Sequence, residues 1–482
     1  MKKNRLNTLP PALPLSFLLA FFLVFTSCND LDRSDVNYAY LGGEIINPTS
    51  EYLVIKKNGK VLDTAYLDDR NRFSLKIDSV GSGLYVIEHR PEFQNVYLEA
   101  GDSLLLRANT LAFDESLHFS GTGDTRNNFM AEMFLLDENN SDLLVSYYKT
   151  DPARFIEKTD SIRAERLSSL ERIHEKHKFS ESFLDLARKT IDYESYDLKE
   201  RYTYLVNKYY DEYAAQISSN FHDYRKDVRF NEKTLQCSPA YKRFIGNYLI
   251  NRSFLWCEKQ NMVEEDCFDL SNQENIKARI KMAGNLLNVP SLREHFLTKL
   301  GSLGIILAES REDILDIIAL LEKKGLSENA IQDMKKLGTI QLAFLPGTIL
   351  SDVPMITLTG DQKPIGKIIS RPAIIFLWSI YSHDHQEEHK MMEELREKYP
   401  EIDFIGINLD VGETSNWRMA VQKYGYDRNN EFQLASSSVE NRFLQFYLNK
   451  LLFLDSSGEV VIGDTFQNSP EFESRILEFL NR

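Results

Sequence analysis

Sulfur is what this chain has least of: four cysteines in 482 residues, with no Cys-x-x-C among them. That absence excludes the standard dithiol apparatus of disulfide exchange, in which two thiols sit three positions apart. Basic charge is short as well. Lys and Arg number 57 against 72 acidic residues, a formal net charge of −15. Nucleic acid, which needs a basic face, is excluded as a partner on that ground. Non-specific adhesion to anionic lipid is disfavoured for the same reason. Long apolar runs are missing too. The apolar stretch near the start, Leu13–Phe25, is shorter than the roughly 20 residues a spanning helix requires.

That stretch has another use. Lys2, Lys3 and Arg5 precede it, and Phe25-Thr26-Ser27-Cys28 closes it with small residues before a cysteine. A basic n-region, a short apolar core and a small-residue exit describe an export signal, residues 1–27. The cysteine after two small residues resembles the lipobox of bacterial lipoproteins, with Phe25 where that family usually has Leu. The resemblance implies that Cys28 becomes the lipidated first residue, with 28–35 as a tether. Acyl chains then hold the protein at a membrane without a spanning helix. Loss of residues 1–27 removes three positive charges and no acid, taking the mature chain to −18. Asn29-Asp30-Leu31-Asp32 is polar and acidic, compatible with the outer membrane on either face. After Cys28 only Cys237, Cys257 and Cys267 remain. At most one internal bridge can form; Cys257 and Cys267 are the nearest pair. Free buried thiols are the favoured expectation.

What is present divides the chain into three, an expected multidomain α+β protein. Residues 36–122 carry short alternating runs: Tyr52–Ile55, Leu62–Leu67, Phe73–Ile77, Gly83–Ile87 and Val96–Leu98. Turn residues separate them, the pattern of a small β-sandwich or barrel. Residues 123–345 place apolar side chains at three and four spacing, as in Phe155, Ile162, Leu167, Leu170 and Ile173, with little Gly or Pro. This predicts an all-α region of eight or nine helices, without a fixed repeat. Its tyrosines, Tyr193, Tyr196, Tyr202, Tyr204, Tyr209, Tyr210 and Tyr213, are expected to pack between helices. In residues 346–482 strand candidates (Ile374–Leu377, Phe404–Asn408, Leu451–Leu454, Val460–Ile462) alternate with helix candidates (Met391–Lys398, Ser415–Tyr424, Ser438–Phe446, Phe472–Leu480). That order predicts an α/β domain.

The last part resembles membrane-tethered TlpA/ResA-type thiol–disulfide oxidoreductases, which are thioredoxin-like. Arg371-Pro372-Ala373-Ile374-Ile375-Phe376-Leu377-Trp378 parallels the entry strand and tryptophan. Asn408-Leu409-Asp410 and Trp417 match the second strand and following helix, and Leu452–Val461 the closing hairpin. The first region resembles the β-domain of unassigned function that precedes such domains in some Gram-negative envelope lipoproteins. In that domain Gly101-Asp102-Ser103 is expected to be a turn, not the start of a serine hydrolase site with Ser103 as nucleophile.

The resemblance implies an attacking thiol at a helix N-terminus, its pKa lowered there, and a resolving thiol three residues on. Ser382, His383, Asp384 and His385 occupy those four positions. A serine hydroxyl is too weak an acid to ionise there and cannot exchange disulfides. Glu388 matches the family's acidic residue. The family's cis-proline position falls on Asn449, where a cis bond would cost about 2.5–4 kcal/mol; a trans bond is expected. The chain therefore reads as a cell-envelope lipoprotein with a redox-inactive thioredoxin-like domain, a binding or scaffold role toward a protein partner, and no cofactor. One alternative is an oxidoreductase using Cys237, Cys257 or Cys267. Another is a metal site on His383, His385 and His389, two of which lie one helical turn apart. Against the metal, His389 is placed to pack under the sheet, and His383 and Asp384 to serve as polar cap residues.

Overall fold

The computed structural model describes residues 37–435, 441–469 and 471–482. The export signal, Cys28, the 28–35 tether and the opening of the Ser438–Phe446 helix lie outside them. The described residues form two compact units, one of residues 37–135 with 177–183, the other of 136–176 with the described part of 184–482.

In the first unit, β1 (Tyr38–Ile46), β4 (Arg72–Asp78), β7 (Ser103–Asn109) and β8 (His118–Thr122) form one sheet in the order β4-β1-β7-β8. A second sheet runs β3-β2-β5-β6, from Lys60–Tyr66, Tyr52–Lys57, Gly83–His89 and Glu92–Leu98. Alternating side chains of both bury a common core that includes Leu41, Ile55, Phe73, Val96, Leu104 and Phe119. Period-two burial is what a sheet with one wet face requires. Gly101-Asp102 is a turn between β6 and β7. Asp102 is buried in an ion pair with Arg126, 2.6 Å, which removes it from any hydrolytic role. Asn127 and Asn128 bond both backbone groups of Tyr97 and Phe119 respectively, fastening the following helix to the sheets.

The helices are α1 (Asp124–Tyr147), α2 (Pro152–His177), α3 (Glu181–Tyr209), α4 (Pro239–Lys259), α5 (Glu264–Phe268), α6 (Gln273–Leu286), α7 (Pro290–Ile306), α8 (Arg311–Lys323) and α9 (Glu328–Ala343), with a single turn at Asp211–Ala214. Their starts are legible. Ser238, Asn272, Ser310 and Ser327 are N-caps whose side chains accept from the first-turn N–H groups. Pro at the first position of α4 and α7 fits the same logic. Most of the tyrosines pack as expected: Tyr202 stacks on Phe155, and the hydroxyls of Tyr193, Tyr202 and Tyr204 reach backbone groups of Arg229, Thr150 and Phe268, whereas Tyr209 is exposed.

The expectation of free thiols is corrected. Cys257, on α4, is bridged to Cys267, on α5, with Cα atoms 5.5 Å apart. The chain reverses between the two helices, which periodicity does not reveal and which brings the pair together. Cys237 is free and half-buried. We expect Cys267→Ser to lower stability by about 2–4 kcal/mol. Urea unfolding reads this; equal midpoints for parent and variant would count against the bridge.

In the same unit a seven-stranded mixed sheet runs β10-β9-β13-β12-β11-β14-β15. The strands are β9 (Pro354–Ile356), β10 (Gln362–Pro364), β11 (Ala373–Trp378), β12 (Asp403–Asn408), β13 (Glu431–Leu434), β14 (Leu451–Leu454) and β15 (Val460–Ile462). β11, β12 and β13 are parallel, and β14 is antiparallel to β11. Helices α10 (His385–Lys398), α11 (Thr414–Tyr424) and α12 (Phe472–Leu480) accompany it. Every residue of β11 is buried, as its unbroken apolar run implies. Lys450 and Tyr447 bond groups on α7 and α9, so the sheet and these helices share one unit. The change at 345/346 is one of secondary-structure type.

Candidate functional site

β11 delivers Trp378 into the turn before α10. Buried on all sides, the ring donates from Nε1 to Glu431 Oε2, 3.0 Å. Glu431 comes from β13, whose register sets it opposite Gly406 of β12. A Cβ on Gly406 would stand 2.2 Å from Glu431 Oε1, so the buried carboxylate needs a glycine beside it. The other oxygen of Glu431 meets His389 Nε2 at 3.1 Å. Desolvation pushes the Glu431 carboxyl up, opposed by the His389 and Trp378 bonds.

His389 is held on every side. Its Nδ1 faces the His385 carbonyl, and its ring lies flat on Tyr426 with centroids 3.5 Å apart. Packing is therefore its role, as expected of it. His385 stands at the first turn of α10, buried, with Nδ1 against the Tyr426 hydroxyl. Desolvation and then His389 hold its pKa below the usual range. Glu388, also buried, is pushed up to about 7 by desolvation, and its Oε2 has no hydrogen-bond partner.

The turn itself is braced from β12. Asp410 accepts from Ser379 Oγ (2.7 Å), the Ile380 N–H (2.8 Å) and Asn408 Nδ2 (2.8 Å). Gln433 ties Asn408 and Asp410 together, and Thr414 donates to Gln433. Ser382 is held through its backbone N–H, which donates to the Ser379 carbonyl at 3.1 Å. His385 is turned toward Tyr426, so no serine–histidine nucleophile is assembled here. His383 is exposed. Asp384 takes the N-cap place without a side-chain capping bond, which corrects the expectation for it.

Asn449 lies beside β11, its N–H donating to the Leu377 carbonyl at 3.0 Å. It sits at φ 64°, a left-handed conformation that asparagine tolerates. The peptide bond preceding it is trans.

Of the residues singled out, Trp378, His385, Glu388 and His389 come together, and Ser382, His383 and Asp384 line the turn above. The three histidines do not converge on a point, and no group of three or more His, Cys, Asp or Glu among the described residues could hold a metal ion. Cys257–Cys267 belongs to α4 and α5, not to this turn. Glu431, Tyr426 and Gln433 escaped the sequence reading. The only trace of Glu431 is the glycine at 406 that faces it.

No family model matches the chain. No curated protein matches it either. Among solved structures it is similar to a candidate thiol-disulfide oxidoreductase from Bacteroides vulgatus, 18% identical over 28% of this chain and 98% of that one, TM-score 0.25. The thioredoxin domain of another thiol-disulfide oxidoreductase from that organism is 14% identical over 28% and 98%, TM-score 0.23. A thiol-disulfide oxidoreductase from Bacteroides fragilis is 17% identical over 26% and 95%, TM-score 0.21. Likenesses of this extent assign no activity.

Proposed function

We propose that this is a cell-envelope lipoprotein whose C-terminal thioredoxin-like domain is redox-inactive and acts as a binding platform for a protein partner. One observation carries the reading. Where disulfide exchange needs two sulfurs, the turn offers Ser382 and a His385 locked onto Tyr426. A hydroxyl and an imidazole cannot pass through a mixed disulfide. The buried Cys257–Cys267 bridge is elsewhere and is closed off from partners. Among the described residues no helix is long and apolar enough to cross a membrane. Attachment is assigned to an acylated Cys28, with the outer membrane as the destination.

In an insulin-reduction assay with dithiothreitol we expect the full chain to give the background rate. Turnover above background that disappears in Cys257→Ala or Cys237→Ala would overturn the redox-inactive reading. Metabolic labelling with a fatty acid should mark the wild type and not Cys28→Ala; equal labelling of both would remove the anchor.

A further inference from the structure

The chain is strongly acidic, yet one groove in its helical region is lined by basic side chains with no acidic one among them. It lies between α4 and α7, both of which pack on α6. Its volume is about 460 Å³, within the range of small-ligand sites. Lys242, Arg243, Arg279, His295 and Lys299 line it, and no Asp or Glu does. Two of these charges are spoken for. Arg243 pairs with Asp137 and Asp197, and Arg279 donates to the Leu270 carbonyl.

Lys242, His295 and Lys299 are different. No side chain of the three has an ion pair or a hydrogen bond to another described residue. His295 and Lys299 lie one turn apart on α7 and face Lys242 from α4. Their mutual effect is visible: desolvation, then the charges of Lys242 and Lys299, hold His295 down at about 4. Desolvation also lowers Lys242. The ammonium groups of Lys242 and Lys299, gathered without a counter-ion, raise the energy of the folded state, and an anion between them would lower it while His295 offers a ring N–H. In a chain with a 15-charge acidic excess, a carboxylate was available to fill this role.

Below the cations the groove turns apolar, with Leu249, Ile250, Phe296, Leu303 and Ile306. We propose that this groove binds a small organic anion with an apolar body, of the alkyl carboxylate class, its head against Lys242, His295 and Lys299. The site is independent of the turn beside Trp378. Gly246 lies in its wall, and a Cβ there would meet only Phe296, at 3.9 Å. A larger side chain can therefore enter the groove without disturbing α4.

The test is calorimetric titration of the full chain with octanoate, beside acetate (head without body) and octylammonium (body with the wrong charge). We expect saturable octanoate binding, one per chain, and none of the other two. Lys299→Glu, at an exposed position, should weaken octanoate by about tenfold or more, worth about 1.4 kcal/mol. Gly246→Leu should abolish it, with unchanged circular dichroism and melting showing that both variants fold. No saturable octanoate binding, equal binding of octylammonium, or octanoate binding unaffected in both variants would each overturn the proposal.

Discussion

Stability of the second unit should rise as pH increases from about 7 toward 10, and Lys450→Met should remove that rise. Lys450 is fully buried immediately before β14. Its Nζ donates to the Ile306 carbonyl at 3.1 Å and to Gln341 Oε1 at 3.3 Å. The rings of Phe344, Tyr447 and Phe466 surround it at 5.2–5.8 Å. Desolvation brings its pKa down from 10.5 to about 7, with Asp464 opposing. Between those values the unfolded chain binds a proton that the folded chain does not. Stability therefore increases with pH across that window and is lowest below it. At about 1.4 kcal/mol per pH unit the full interval is worth at most about 5 kcal/mol.

Methionine keeps the length and loses the charge, but leaves two carbonyl-type acceptors unpaired, each costing about 1–3 kcal/mol. The variant should thus be clearly weaker than the parent near pH 10 and approach or pass it near pH 6. Urea unfolding followed by tryptophan fluorescence reports this directly, since Trp256, Trp378 and Trp417 all lie in the second unit. Parallel pH profiles for the two proteins would show that the amine is solvated and carries no penalty.

The second large effect concerns the carboxylate beneath Trp378. Glu431→Ala removes the partner of both Trp378 Nε1 and His389 Nε2. Breaking a buried pair of this kind costs about 3–5 kcal/mol. Gly406→Ala alone should cost several kcal/mol as well, because the new methyl meets the Glu431 carboxylate within 2.2–2.8 Å in the centre of a sheet. The three nearest atoms it meets all belong to the Glu431 side chain. In the Glu431→Ala background the same Gly406→Ala change should therefore be close to neutral. A double-mutant cycle measures the coupling; additive losses would mean that Gly406 is required by the backbone instead.

Both effects involve residues on which the sequence reading was silent, and the reason is physical. β13 has the sequence Glu-Phe-Gln-Leu. Its four residues do alternate polar with apolar, but that is the shortest run in which alternation reads as a strand, so β13 is not among the strand candidates, and neither are the still shorter β9 and β10. Its polar residues are buried because partners wait for them: Trp378 and His389 for Glu431, Asn408 and Thr414 for Gln433. Lys450 was likewise invisible, since a lysine beside a strand normally signals an exposed end.

What the chain alone determined is what periodicity and local chemistry can encode. Unbroken apolar runs produced β11, β12 and β14. Three-and-four spacing with Ser and Asn caps produced the helices. The absence of any Cys-x-x-C was plain, since residue identity is read directly. Tertiary structure decided whatever depends on partners distant in sequence. It joined Cys257 to Cys267 through a helix reversal, brought β13 against β12 so that Glu431 lies under Trp378, and drew Lys450 into the helices. It also gathered Lys242, His295 and Lys299 around one groove. A side chain's charge state and solvation are set by its three-dimensional neighbours, and pattern along the chain reports only the neighbours one turn or one pleat away.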